Sequence, residues 1–201
     1  MEVTWIIAII IGAASAVALI VSLIRKSSAK NKERLERVAI ELGANIEFGD
    51  WKSQPVISGE MESTEYQITF HVVNSGNASI TYLDLKVPCQ SVENKIVVKK
   101  YGSVAKFFGK LGIGNRIESG DPTFDSQVVL KGKSNTRLTS LAYDSNFKNA
   151  ALVLAKRNYV TEIKAPTAIA SKVYKTKIDL DATVLANDLR ALIELVGLIN
   201  K

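Results

Sequence analysis

Glu65-Tyr66-Gln67-Ile68-Thr69-Phe70-His71-Val72-Val73, the break Asn74-Ser75-Gly76-Asn77, then Ser79-Ile80-Thr81-Tyr82-Leu83-Asp84-Leu85-Lys86-Val87 is the stretch that decides the fold. Its period is two, and it is rich in β-branched and aromatic residues. Its break holds the Gly and Asn that positive φ angles favour. Those features predict a hairpin. Val56 to Glu62 precedes it across the short break Glu62-Ser63-Thr64-Glu65. Pro88 ends the third strand because it cannot donate to a ladder, and Lys95 to Lys100 supplies a fourth. The result is an antiparallel meander, extended later by Gln127 to Lys131, Tyr159 to Lys164 and Lys172 to Leu180.

Helical spacing appears on both sides of this sheet. At the C-terminus Asp181 is a good N-cap, and Leu185, Leu189, Leu192, Val196 and Ile199 form one stripe, widened by Ile193 and Leu195. Asn135 to Leu141 and Asp144 to Arg157 also read as helices, the second through Phe147, Ala151, Leu152 and Leu154. Ser27 to Leu42 reads as another, with Leu35, Val38, Ala39 and Leu42 on one side and Gly43 as its stop. The fold class expected is α+β: an N-terminal transmembrane helix, then a largely antiparallel sheet of roughly six or seven strands packed by helices, one of them a long C-terminal helix.

The transmembrane expectation rests on Val3 to Ile24, 22 residues without a charge. At about 1.5 Å per residue they reach roughly 33 Å, the thickness of a bilayer's hydrocarbon core. All 26 Lys and Arg of the 201 residues follow this run, and only Glu2 of the 20 acids precedes it. Arg25, Lys26, Lys30, Lys32, Arg34 and Arg37 crowd its far side against Glu33 and Glu36. Basic flanks favour the cytoplasmic side, so the expected placement is the cell membrane, single-pass, with the N-terminus outside and the domain cytoplasmic. The division is 1–24 anchor, 25–43 basic juxtamembrane helix or linker, and 44–201 α+β domain. Gly12 and Ala16 form a small-xxx-small pair through which a homodimer is conceivable. Because the basic excess lies beside the span, the remaining domain is nearly balanced, which argues against nucleic acid as a partner.

The chain offers little to covalent or metal chemistry. Gly132-Lys133-Ser134 follows a strand and precedes a helix, but position 127 is Gln where a phosphate loop needs Gly. His71 is the single histidine and reads as a solvent-facing strand residue; Cys89 is the single cysteine, without a second thiol for a disulfide or a metal cluster. Asp121 and Asp125 offer two carboxylates to a hard cation, fewer oxygens than calcium takes. The structural reading of Gly120-Asp121-Pro122-Thr123-Phe124-Asp125 is a turn in which Asp121 bonds nearby amides, Phe124 fills the core and Asp125 leads into the strand. On Gly120, Asp121, Phe124 and Asp125, together with its element order, the chain resembles a loose set of uncharacterised membrane-anchored prokaryotic proteins. That resemblance implies an architecture and carries no activity or catalytic residue.

One segment suits a contact role. Lys106, Phe107, Phe108 and Lys110 combine apolar insertion with attraction to anionic lipid; the competing reading folds the two aromatics into the core. The function expected is a membrane-tethered, non-catalytic domain that binds a protein partner or the lipid surface, with no cofactor and no metal. The alternative is a membrane-anchored enzyme with an acidic site around Asp121 and Asp125.

Overall fold

Ile46, Ile57, Ile68, Leu85, Ala170, Thr161, Val98, Leu130 and Ile117 stand in one row across nine antiparallel strands. This computed structural model describes residues 29–49, 54–76, 78–90, 92, 94–102, 115–133 and 136–201. A helix α1 over 29–41 comes first, followed by β1 (Asn45–Glu47), β2 (Val56–Met61), β3 (Thr64–Ser75), β4 (Ala78–Pro88), β5 (Ile96–Lys100) and β6 (Asn115–Ile117). Then come α2 (Pro122–Gln127), β7 (Val128–Gly132), α3 (Thr136–Tyr143), α4 (Ser145–Lys156), β8 (Val160–Lys164), β9 (Thr167–Val173), α5 (Thr176–Asp179) and α6 (Ala182–Asn200). The strand order is β1-β2-β3-β4-β9-β8-β5-β7-β6.

Alternation in each strand sends one side chain set to the helices and the other away from them. The helix-facing set is the apolar one, and the core is continuous from Leu35, Val38 and Ala39 of α1 to Ile199 of α6. α6 lies over β4, and α4 lies over β5, β7 and β8 while packing against α6. Ala168 and Ala170 keep the helix-facing side of β9 low, and both are fully buried. Asp181 caps α6, accepting from Val184 N at 3.0 Å. At the other end of α6, Arg137 Nη2 donates to the Ile199 carbonyl, and Asn200 Oδ1 accepts from Gln90 N at 3.4 Å. Cys89, buried, directs its thiol at the same Asn200 oxygen, 3.7 Å away.

Three expectations need correction. The N-terminal transmembrane helix does not stand: among the described residues no helix is long and apolar enough to cross a membrane, and Val3 to Ile24 lies outside them. The longest described helix, α6, carries Asp188, Arg190 and Glu194 and is used up in covering the sheet. The single-pass placement, with the domain on the cytoplasmic side, falls with that helix. Second, the sheet has nine strands, because the three-residue edges β1 and β6 are too short to show a period. Third, Lys172 to Leu180 is not a strand; β9 ends at Val173, and the chain turns through α5.

The β2–β3 hairpin turns at Glu62 and Ser63, with φ of 52° and 59°. Two consecutive left-handed residues make this a mirror-type turn, which favours Asn-Gly. Replacing Glu62-Ser63 with Asn-Gly is expected to raise the unfolding free energy by about 1–2 kcal/mol, since a left-handed L-residue costs about that much. A urea midpoint that stays put or falls would contradict the assignment of strain to this turn.

Candidate functional site

The sheet face turned away from the helices carries a second continuous row: Asn45, Ser58, Gln67, Lys86, Ile169, Glu162, Val97, Lys131 and Arg116. Beside it runs Glu47, Val56, Thr69, Asp84, Ser171, Val160, Lys99 and Val129. Over β8, β5, β7 and β6 the two rows pair valines with cations. Val97, Val129 and Val160 are buried yet lie outside the main core cluster, flanked by Lys99, Lys131, Lys164 and Arg116. Glu162 is the one carboxylate among the described residues of this half, and Lys95 already holds it at 2.6 Å. Lys86, Lys99, Lys131 and Lys164 have no ion-pair partner among the described residues. Arg116 donates to the Asp125 carbonyl at 2.7 Å and lies over the exposed Tyr101 ring. Where β4 ends and β3 and β9 begin, the Ala165–Pro166 turn borders a groove of about 470 Å³ with Lys86 in its wall.

His71, Asp84 and Ser171 meet on this face. His71 Nδ1 donates to Asp84 Oδ2 at 2.7 Å, and Ser171 Oγ donates to Asp84 Oδ1 at 2.6 Å. The residue types are those of a hydrolytic triad, but the carboxylate is in the middle. A nucleophilic serine must give its proton to the imidazole, and here it gives a hydrogen bond to the acid instead. The arrangement ties β3, β4 and β9 together. His71 is 44% exposed in its side chain, with its ring stacked on Tyr82 at 5.0 Å.

The acidic turn is assembled from local bonds. Gly120 has φ of +70°, and an added Cβ there would meet the Tyr143 ring at 3.0 Å. Asp121 caps α2, accepting from Thr123 N at 3.0 Å and Phe124 N at 3.1 Å, and Lys148 Nζ lies 3.3 Å from its other oxygen. The Phe124 amide, opposed by partial desolvation and aided by Lys148, holds this carboxyl below the usual range. Phe124 is buried. Asp125 accepts from Ser119 N with both oxygens, at 3.1 and 3.2 Å, and sits within α2 rather than leading straight into β7. Among the described residues no group of three or more His, Cys, Asp or Glu is placed to hold a metal. Lys106, Phe107, Phe108 and Lys110 lie outside the described residues, in the connection from β5 to β6, as do Gly12 and Ala16.

A charged cluster that alternation alone does not suggest lies on the helix side. Lys172 of β9 occupies a helix-facing position opposite Leu83 and is 5% exposed. Its ammonium is 2.9 Å from Asp179 Oδ1 and 3.7 Å from Asp188 Oδ2, and 4.4 Å from the Tyr159 ring centre. Arg157 Nε approaches Asp188 Oδ1 to 3.6 Å, from a groove of about 450 Å³ between α4 and α6. Burial raises the Asp188 pKa, opposed by Lys172, Tyr159 and Arg157; burial and then the Asp188 charge push Tyr159 far up. The Tyr159 hydroxyl faces Asp188 without reaching full hydrogen-bond geometry, and neither it, Thr161 Oγ1 nor Asp188 Oδ2 has a well-formed hydrogen bond among the described residues. The sequence signal was a carboxylate inside the apolar stripe of α6, three residues after Leu185.

No family model matches the chain, and no curated protein matches it significantly. Among solved structures it is similar to the mycobacterial trehalose monomycolate transport factor A, TtfA, with a TM-score of 0.57 and 9% sequence identity. The likeness covers 84% of this chain and 94% of that one. At that identity it is a likeness of fold.

Proposed function

We propose that the protein is a non-catalytic binding domain whose sheet face turned away from the described helices docks on an anionic lipid surface. The observation that carries this reading is the set of cations Lys99, Lys131, Lys164 and Arg116 on one sheet face, the three lysines without an ion-pair partner among the described residues. Ammonium groups that no described carboxylate neutralises favour an anionic interface. The polar constellation on the same face supports binding over catalysis, because Ser171 is turned to Asp84 and not to His71. The name of the structural neighbour, a trehalose monomycolate transport factor, supports a lipid-related role.

The test compares the full chain with a Lys99→Gln, Lys131→Gln, Lys164→Gln variant on phosphatidylglycerol-containing and neutral phosphatidylcholine vesicles. Reading the ratio of the two affinities removes any contribution that does not depend on lipid charge. At about 1 kcal/mol per lysine near a charged surface, the ratio is expected to fall at least tenfold in the variant. Raising the salt should erase most of the wild-type preference. A ratio untouched by the three substitutions would end the proposal.

A further inference from the structure

We infer that the groove where β4 ends and β3 and β9 begin is a site for one single-chain amphiphile with an anionic head, a carboxylate or a phosphate. The inference rests on reading this face as lipid-binding and adds a discrete site to it. The groove's volume, about 470 Å³, is within the range of small-molecule sites. Lys86 is half-buried in its wall, and among the described residues no carboxylate lies within ion-pair distance of its ammonium. A partly desolvated cation without a counterion favours an anion, and a cationic ligand would meet like charge.

Gln67 and Thr167 add side-chain donors beside Lys86. Register puts Gln67 and Lys86 directly opposite one another, with Ile169 opposite Lys86 on the other side. The remaining wall is apolar, through Ile169, Pro88 and Pro166. A small inorganic anion would leave that wall wet, whereas an alkyl chain covers it. Glu65, exposed at the rim, is the one acid among the described lining residues, and its charge would turn the head toward Lys86.

The probes are decyl phosphate and decanoate below their micellar concentrations, inorganic phosphate as the head alone, and decyl maltoside as the tail with a neutral head. Titration calorimetry on the full chain is expected to show binding of both anionic amphiphiles and none of the other two. Lys86→Met keeps the stem and removes the charge, and should weaken both amphiphiles at least about tenfold; Lys86→Arg should retain them. Unchanged affinity in Lys86→Met, or equal binding of decyl maltoside or inorganic phosphate, would overturn the site. If Lys86→Met fails to fold, amide shifts of the wild type decide: decyl phosphate must move Gln67, Lys86 and Thr167, and shifts elsewhere alone would overturn it. A chain that binds decyl phosphate without preferring anionic vesicles would sink the docking proposal alone. The preference without decyl phosphate binding would sink the groove alone.

Discussion

Replacing Lys172 with methionine is expected to lower the unfolding free energy by about 3–5 kcal/mol, the usual cost of removing one partner from a buried ion cluster. The ammonium sits between Asp179 and Asp188, which are 6% and 1% exposed. Methionine matches the stem, so the apolar packing is largely kept and the loss is electrostatic, including the cation over the Tyr159 ring. Two carboxylates are then left out of water with Arg157 as the remaining cation, 39% exposed in its side chain and facing Asp188 alone. Adding Asp179→Asn and Asp188→Asn to Lys172→Met should recover most of the loss, because a neutral cluster no longer needs the lysine. Urea unfolding at constant slope measures both. A loss below about 1 kcal/mol in the single variant would mean the cluster is hydrated as an exposed pair is.

Asp188→Asn should act in the opposite direction, stabilising the protein by about 1–3 kcal/mol near neutral pH, because it removes a charge that burial disfavours. The geometry separates the two acids. Asp179 is 2.9 Å from Lys172 and also accepts from Lys175 N, so its charge is well held. Asp188 reaches its two cations only at 3.6 and 3.7 Å. Burial raises its pKa, so the native state binds this proton more tightly than the unfolded chain does. Its contribution is therefore fully present below the unfolded carboxylate pKa and is lost as pH rises through the higher native value. The advantage of Asp188→Asn over wild type should accordingly grow from about pH 4 to about pH 7. Asp121, whose pKa is lowered, runs the other way: its contribution is present above the unfolded value and is lost as pH falls. A difference that shrinks toward neutral pH would show that Lys172 outweighs burial at Asp188.

The elements with a long, clean period were readable from the chain. The β3–β4 hairpin and α6 follow period two and the helical stripe over many residues. β9 escaped because Thr167-Ala168-Ile169-Ala170 is alanine-rich, and small residues carry no strand signal. Lys172 then misled in the same place, since a lysine in a helix-facing position looks like a surface residue until Asp179 and Asp188 are brought to it. The face turned away from the described helices was out of reach for a different reason. Lys86, Lys99, Lys131 and Lys164 come from four separate strands, and only the register of β4, β9, β8, β5 and β7 makes them neighbours.

β4 has neighbours from opposite ends of the chain: β3 through a tight hairpin, and β9 from beyond residue 166. As the chain emerges from the ribosome, the amino-terminal hairpins are complete long before β9 exists. Until then Tyr82 to Pro88 is an open edge, with Leu83, Leu85 and Val87 waiting for α6. Such an edge is a template on which a second nascent chain can add a strand. A chain stopped short of Thr167 would keep that edge for good, and with it half of the groove at Lys86: the binding site and the protection against aggregation are completed by the same late strand.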